Sequence, residues 1–317
     1  MSLFLSEVEV ERVVTMPLAL EAVEAAHKAH GDGTAIDFPR QRAKLPSTTM
    51  HILQGALPSD GVLGYKVYTS SREGTRFKVN LYDADNGRQL AVVEANYLGM
   101  MRTGAMGGLA AKWLAREEAR VLGVFGAGWQ ARSQIEAACA VRPIELVKVF
   151  SRTREKLDAF CREMSQLVER TVVAAKTAEE LVRGSDIVVT ITTSSTPLFS
   201  ADWLEDGTHI TAAGSNSLIR REIDEATVRR AARIVVDARQ TALREAGDLL
   251  PLLEKGRLHD GQLVEIGEVM VGSRRGRCAP AEITLFESQG MAIQDLALAV
   301  RVFRIARDRG VGTELPF

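Results

Sequence analysis

Hydrophobic positions in the second half of the chain form short runs that alternate with stretches of helical spacing. Six such runs, rich in Val, Ile or Thr, lie at 121–126, 145–151, 171–175, 187–192, 208–214 and 233–238. Continuous apolar runs of this length are typical of strands buried on both faces, and alternation with helices is typical of a parallel sheet. The pattern predicts an α/β fold with a Rossmann doubly wound parallel sheet over 117–294.

The first part of the chain has a different periodicity. A short strand is followed by a helix opened by Thr15 and Pro17. From Met50 to Val93, short alternating runs are broken by Gly, Pro and Asp-Asn-Gly turns, which indicates antiparallel sheet. A helix of small residues, RTGAMGGLAAKWLAR, ends near Arg116. We expect a discontinuous α+β domain made of 1–116 plus 295–317, because the long helix QGMAIQDLALAVRVFRIARDRG leads away from the central domain.

Composition excludes several classes of protein. The 317 residues are 46% hydrophobic, which is enough for a sizeable core, and 40 Lys and Arg residues nearly balance 41 Asp and Glu residues. We therefore expect no nucleic-acid partner. The sequence shows no signal segment and no apolar run of about 18 residues, so we expect no membrane association. Three scattered cysteines (Cys139, Cys161 and Cys278) indicate a reduced, cytoplasmic setting and no zinc site.

The segment VLGVFGAGWQARSQIEAACA contains the clearest chemical motif. A strand leads into Gly126-Ala127-Gly128-Trp129-Gln130-Ala131, a G-x-G-x-x-A turn, and the chain continues as a helix. The first glycine permits a tight turn, the second lets backbone approach a pyrophosphate, and Ala131 permits close packing of the helix on the strand. The motif predicts a dinucleotide site.

The end of the second strand indicates which dinucleotide binds. NAD sites place Asp or Glu there to accept from the ribose hydroxyls, whereas this chain has Ser151-Arg152-Thr153. Arg152 can pair with a 2′-phosphate, and Ser151 and Thr153 can donate to its oxygens. The sequence favours NADPH, with NAD as the alternative. Arg152 could equally be an ordinary exposed loop arginine.

Five segments together resemble the ornithine cyclodeaminase and mu-crystallin family. They are RTGAMGGLAAKWLAR, GAGWQA, AAGSNSLIRREID, VVDARQTALREAGDL and LFESQGMAIQDLALA. The resemblance implies a Rossmann domain inserted into a substrate-binding domain whose sheet forms a homodimer interface. It also implies a nicotinamide cofactor and a small 2-amino or 2-imino acid held in the cleft between the domains.

Family members bind the substrate carboxylate with two arginines and a lysine, and the matching positions are Arg42, Lys66 and Arg102. Arg40 flanks the same turn as Arg42 and is an equal candidate. An arginine fork gives bidentate contact with a carboxylate, and a lysine can also act as a proton source. Lys66 could instead be an ordinary solvated lysine on a strand.

Two departures from the cyclodeaminase pattern change the expected reaction. Cyclodeaminases carry an aspartate in the loop after the fifth Rossmann strand, where this chain has Gly214-Ser215-Asn216, and His51 stands where they place a glutamate. Loss of both carboxylates disfavours ornithine cyclisation. We therefore predict NAD(P)H-dependent reduction of a ketimine or imino acid to an L-amino acid, with Lys66 or His51 keeping the imine protonated.

The remaining cofactor contacts are expected at the carboxyl edge of the sheet. The predicted positions are Thr190, Thr192 and Ser194 in TITTSS, the Gly214-Ser215-Asn216 loop, and Ser288 at a helix start after the apolar ITLF. The family more often has Lys where Glu287 stands. Two alternatives stay open: an NAD-dependent ornithine cyclodeaminase, and a non-catalytic dinucleotide- or hormone-binding protein like the crystallin branch. No metal site is expected, because Glu24, His27 and His30 on one helix face lack a third converging element.

Overall fold

A computed structural model describes residues 2–215 and 217–316, and the chain divides into two compact units. The first unit contains Met1–Arg102 and Gly290–Phe317, and the second contains Thr103–Gln289. The first unit is therefore discontinuous in sequence. The predicted boundary after residue 116 lies just beyond the end of a helix, Asn96–Leu114, whereas the units divide within that helix.

The helices and strands of the described chain have the following bounds. The helices are α1 (Glu7–Val13), α2 (Met16–Gly31), α3 (Asn96–Leu114), α4 (Trp129–Val141), α5 (Leu157–Val168), α6 (Ala178–Val182), α7 (Glu225–Arg230), α8 (Arg239–Glu245), α9 (Leu250–Glu254), α10 (Ile266–Met270) and α11 (Ala292–Asp308). The strands are β1 (Ser2–Leu5), β2 (Ile36–Asp37), β3 (Gln41–Lys44), β4 (Thr48–Leu57), β5 (Val62–Ser71), β6 (Gly74–Asp83), β7 (Gln89–Glu94), β8 (Val121–Phe125), β9 (Leu146–Phe150), β10 (Thr171–Ala174), β11 (Ile187–Thr190), β12 (His209–Ala212), β13 (Arg233–Val236), β14 (Leu263–Glu265), β15 (Thr284–Glu287) and β16 (Thr313–Leu315).

The first unit is built on a mixed sheet in the order β16-β1-β7-β6-β5-β4-β2, with β3 paired to β4. Only the β1–β7 pair is parallel among the described pairings, so the antiparallel sheet expected over Met50 to Val93 is confirmed. Helix α11 packs on one face of this sheet. Gly55 and Gly64 make room for it, since a Cβ at either position would lie 3.2 Å from Ile293 or 3.0 Å from Leu296.

The second unit is built on a parallel sheet in the order β10-β9-β8-β11-β12-β15-β13-β14. Successive side chains of a strand point to opposite faces, and in β11 Ile187 and Val189 join one hydrophobic core while Val188 joins the other. Both faces are therefore covered, and the predicted Rossmann fold is confirmed.

Strands β14 and β15 are additions to the six predicted strands. β15 lies between β12 and β13, and α11 begins at Ala292, so the expectation that Ser288 opens a helix is wrong. Ser288 instead follows a fully buried strand, and its side chain is itself buried. The reason is that a glutamate ends TLFE and a serine follows it directly, which obscures its strand character in the sequence.

Helix α3 packs closely on α4 within the second unit through glycines. A Cβ on Gly104, Gly107 or Gly108 would lie 2.4 Å from Ser133, 1.9 Å from Gln134 or 2.7 Å from Ala137, respectively. The small residues of this helix thus serve packing. Among the described residues, no helix is both long enough and apolar enough to cross a bilayer.

Candidate functional site

The glycine turn of the second unit has the geometry of an anion site. Gly126 follows β8 with a φ of 116°, and a Cβ there would lie 2.6 Å from the carbonyl oxygen of Ile191, so only glycine fits without strain. Gly128 is the N-cap of α4, and a Cβ there would meet no atom within 4 Å. The helix has no acidic residue in its first turn. Its N-terminus can therefore accept a pyrophosphate in open space.

The end of β9 lies beside this turn, because the amide of Gly126 donates to the carbonyl oxygen of Phe150 at 2.9 Å. Ser151 follows directly, its Oγ accepts from the amide of Thr153 at 3.3 Å, and both Arg152 and Thr153 are exposed. No carboxylate occupies 151–153. The residues predicted to recognise the adenosine end of a dinucleotide are thus adjacent to the pyrophosphate turn.

Three segments at the same edge of the sheet contain the other predicted cofactor residues. Thr190 ends β11, and its carbonyl oxygen accepts from the amide of Ala213 after β12 at 2.9 Å. This bond brings the segments of Thr192 and Ser194 close to that of Gly214 and Ser215. The predicted contact at Asn216 lies outside the described residues. Ser288 lies after β15, and its Oγ donates to Asp237 Oδ2 at 3.4 Å.

The first unit holds a buried cluster of opposite charges. Lys66 on β5 donates to Asp295 Oδ1 on α11 at 2.7 Å, and the Nε of Arg102 on α3 donates to the same oxygen at 3.2 Å. Arg102 also donates through Nη1 to Gln294 Oε1 at 2.7 Å. Lys66 is 3% exposed and Asp295 fully buried. The two cations predicted from sequence are therefore brought together by a carboxylate that the sequence reasoning missed.

Glycines and an aromatic ring shape the space around these cations. A Cβ on Gly99 would lie 3.1 Å from Lys66 Nζ, and one on Gly290 would lie 2.9 Å from Arg102 Nη1. The ammonium also lies 5.1 Å from the centre of the Phe77 ring. The two glycines thus let the backbone approach the ammonium and the guanidinium closely, and Phe77 lies beside the ammonium.

Burial sets the protonation of Lys66. Desolvation lowers its pKa from 10.5 to about 8, because the attraction of Asp295 only partly opposes the burial and the nearby Arg102 and Arg40 lower it further. A lysine with this pKa holds its proton at neutral pH and releases it readily. The cluster can therefore bind an anion and supply a proton.

Strand register places His51 and Arg42 on the same face of the sheet as Lys66. Arg42 lies opposite His51 and His51 opposite Tyr68, which is two residues from Lys66 on β5. The His51 ring stacks on Tyr68 with centroids 4.2 Å apart, and its Nε2 lies 3.2 Å from Ser70 Oγ. Burial, Arg42 and Arg40 lower the pKa of His51 to about 4. His51 is therefore neutral at neutral pH.

Sequence reasoning missed two carboxylates that organise these sites, Asp295 and Glu222. Asp295 lies in the buried part of α11 among apolar residues, and Glu222 binds both loops that follow β11 and β12. An acid within an apolar helical run, as in AIQDLALAV, was the available indication, since a buried carboxylate must find donors. In the described chain, no group of three or more His, Cys, Asp or Glu side chains is arranged to hold a metal ion.

Comparison with known proteins shows what the whole chain is similar to. Delta(1)-pyrroline-2-carboxylate reductase of Bacillus cereus is 33% identical over 315 residues, which cover 97% of this chain and 95% of the relative. The solved structure of the Thermococcus litoralis Delta(1)-pyrroline-2-carboxylate reductase, in complex with NADH and L-proline, has a TM-score of 0.94 and 32% identity over 99% of this chain and 100% of that one.

A third protein is as similar in structure. The iminosuccinate reductase of Paracoccus denitrificans in complex with NAD+ has a TM-score of 0.94 and 30% identity over 100% of this chain and 99% of that one. A sequence profile described as the ornithine cyclodeaminase/mu-crystallin family matches residues 1–310. With nearly its whole length matched, this chain belongs to the ornithine cyclodeaminase/mu-crystallin family.

Proposed function

We propose that this chain is an NAD(P)H-dependent oxidoreductase that reduces the C=N bond of a ketimine or imino acid to an L-amino acid. Its substrate is a cyclic ketimine such as pyrroline-2-carboxylate or an open-chain imino acid. The observation that carries the proposal is the buried Lys66, paired with Asp295 beside Arg102. Two similar enzymes reduce substrates of this class, and their structures contain NADH or NAD+.

The cation cluster binds the substrate carboxylate. Arg102 is held by Asp295 and Gln294 through Nε and Nη1, which fixes the plane of a guanidinium that carries five N–H donors. A fixed fork binds a carboxylate with two parallel hydrogen bonds. Lys66 and Arg102 share the one carboxylate of Asp295, so an anionic ligand completes the charge balance. Arg40 or Arg42 is the third cation, and the charges of both arginines lower the pKa of the neighbouring His51.

Lys66 supplies the proton. When bound, the reduced nicotinamide provides the hydride for the imine carbon. Lys66 Nζ gives its proton to the imine nitrogen, so that one hydride and one proton together convert C=N to CH–NH. His51 is a poor proton donor, because its lowered pKa leaves it neutral at the pH where Lys66 is charged.

The second unit holds the dinucleotide. The pyrophosphate binds at the N-terminus of α4, where Gly128 leaves open space. The residues of this turn that receive it are Gly126, Ala127, Gly128, Trp129 and Gln130. Ser151, Arg152 and Thr153 receive the adenosine end. Because a carboxylate there would repel a 2′-phosphate and an exposed arginine attracts it, we propose a preference for NADPH over NADH.

We also propose that the protein is a homodimer formed through the first unit's sheet. The face opposite α11 carries apolar side chains that stay partly exposed, among them Met50, Leu63, Tyr65 and Val67. A partly exposed apolar sheet face of this kind suits a second copy of the chain. Sedimentation or light scattering of the purified protein would test it, and a monomer would refute it.

A substrate panel tests the reaction. Purified protein is given NADPH or NADH with cyclic ketimines, iminosuccinate, or 2-oxo acids plus an amine, and loss of reduced nicotinamide is followed by absorbance. We expect oxidation of the cofactor, faster with NADPH, and loss of turnover in Lys66→Met but not in the exposed control Lys28→Met. Ammonia release from ornithine with catalytic NAD would overturn the reductase proposal, and tight NADPH binding without turnover would point to a binding protein.

A further inference from the structure

One buried carboxylate connects the two loops that follow β11 and β12. Glu222 is fully buried, and its Oε1 accepts from the amide and the hydroxyl of Thr192, both at 2.6 Å. Its Oε2 accepts from the amide of Gly214 at 2.8 Å. Because β11 and β12 are parallel neighbours, both loops leave the same edge of the sheet. Beyond the backbone bond from Ala213 to Thr190, the side chain of Glu222 connects the two loops.

The backbone of both loops packs closely around the Glu222 side chain. A Cβ on Gly214 would lie 2.4 Å from the carbonyl oxygen of Thr192 and 2.5 Å from Glu222 Oε2. The Thr192 hydroxyl also accepts from the amide of Ser194 at 3.1 Å, which extends the arrangement along the loop. Both loops are therefore held by the Glu222 carboxylate, which accepts three hydrogen bonds from them.

A second buried acid holds the backbone of Glu222 itself. Asp248 Oδ1 accepts from the amides of Glu222 and Ile223 at 2.7 Å and 2.9 Å. Asp248 in turn is hydrogen-bonded to Glu287, and burial together with the charge of Asp248 raises the pKa of Glu287 well above its usual value. Glu287 thus stays protonated, and its O–H group donates a hydrogen bond to Asp248. Both Asp248 and Glu287 are buried.

The location of these loops indicates which end of the cofactor they meet. In a doubly wound sheet a dinucleotide lies across the switch point, here between β8 and β11, with its adenosine end over the second strand. The end of β9 and the glycine turn lie on one side of that point. The nicotinamide end therefore falls over β11 and β12.

We propose that Glu222 is a positioning residue that fixes the loops of Thr192 and Gly214 for the nicotinamide end of the dinucleotide. The proposal rests on the proposed cofactor function and assigns it a residue outside the glycine motif. Glu222 contacts no reacting atom. Its effect is to hold two segments of backbone at the spacing that the nicotinamide requires.

Binding measurements on Glu222→Gln test this role. The amide keeps the volume but offers one acceptor oxygen, so its NH2 group faces one of the two loop amides. We expect the Kd for NADPH, measured by fluorescence of the reduced nicotinamide, to rise about tenfold or more. The Kd for 2′-phospho-ADP-ribose, which lacks nicotinamide and is measured by calorimetry, should change less than about twofold. Glu225→Gln, an exposed acid three residues away, is the matched control and should change neither constant.

The outcomes separate this inference from the proposed function. A wild-type protein that binds neither NADPH nor NADH overturns the cofactor function and the inference with it; if it binds NADH alone, the same comparison is made with NADH and ADP-ribose. Normal wild-type binding with equal weakening of both ligands in Glu222→Gln, or no weakening, overturns the role of Glu222 alone. If Glu222→Gln fails to fold, Thr192→Val tests the same role, because it removes one hydrogen bond to Glu222 at a half-buried site. We expect the Kd for NADPH to rise about threefold or more in this variant, with a smaller change in the Kd for 2′-phospho-ADP-ribose.

Discussion

The buried Lys66–Asp295 pair predicts a pH profile and a way to move it. If Lys66 donates the proton, kcat/KM should fall as pH rises through the Lys66 pKa of about 8, since the free enzyme then loses the required proton. Asp295 raises that pKa by its charge and its hydrogen bond, whereas burial, Arg102 and Arg40 lower it. Replacing Asp295 by Asn removes the one opposing charge and keeps the shape. The pKa of Lys66 must then fall further.

The size of the shift follows from the contact. Two unit charges 2.7 Å apart attract by about 6 kcal/mol at an effective dielectric constant of 20. Arg102 shares the same carboxylate oxygen, and rearrangement offsets part of the loss. We take at least one quarter of this attraction as lost, about 1.4 kcal/mol or one pKa unit. The alkaline limb of kcat/KM should therefore move from near pH 8 to about pH 7 or below.

The assay compares kcat/KM from pH 5.5 to pH 9.5 for the wild type, Asp295→Asn and the control Asp308→Asn. Asp308 is exposed at the end of the same helix, so its variant should leave the profile unchanged. The substrate imine titrates identically with every enzyme, so a difference between variants reports the protein. An alkaline limb that stays in place or moves upward in Asp295→Asn would refute Lys66 as the proton donor governed by Asp295.

Three further predictions concern the second unit. Gly104→Ala should lower the free energy of unfolding by about 1–3 kcal/mol, because its Cβ would lie 2.4 Å from the backbone carbonyl oxygen of Ser133. Gly261→Ala, with open space around it, should change that free energy by less than about 0.5 kcal/mol, and equal values in urea titrations would contradict the packing of α3 on α4. Glu287→Gln should raise Tm more at pH 8 than at pH 5. Because the pKa of Glu287 is raised in the folded protein, its stabilising effect on the wild type is complete below the pKa of this group in the unfolded chain and is lost as pH rises. A Tm difference between variant and wild type that does not depend on pH would contradict this prediction. Arg152→Glu should weaken NADPH binding about tenfold or more relative to NADH, and an unchanged ratio of the two Kd values would exclude Arg152 from phosphate recognition.

Sequence periodicity predicted the second unit well because its central strands are buried on both faces. β8 and β11 are nearly continuous runs of apolar residues, β9 is interrupted only by Lys148, and all three occur where the pattern placed them. β15 was missed because the polar Glu287 and Ser288 follow its apolar residues directly, and because it enters the sheet between β12 and β13, out of chain order. Its place depends on contacts between distant segments, which local periodicity does not encode.

The cations of the site were predicted more readily than the acids. Lys66 and Arg102 stood in motifs that resemble a known family, and their charge has an obvious use toward a carboxylate. Asp295 and Glu222 also lie in segments that resemble the family, LFESQGMAIQDLALA and AAGSNSLIRREID, but an acid beside apolar residues is equally typical of a helix surface. Only the fold shows that both are buried and that each accepts several hydrogen bonds. The sequence thus revealed the groups that would meet ligands, and the structure revealed the groups that position them.

The energetics of the Lys66–Asp295 pair support a functional role over a structural one. An ion pair that repays its desolvation leaves the lysine with a pKa at or above 10.5, whereas here the pKa falls to about 8. The attraction of Asp295 therefore does not offset the burial of the ammonium. Well-packed apolar side chains in the same space are often as stable as a buried ion pair or more so. A lysine held in this state loses stability but gains a transferable proton near neutral pH, as a proton donor to an imine requires.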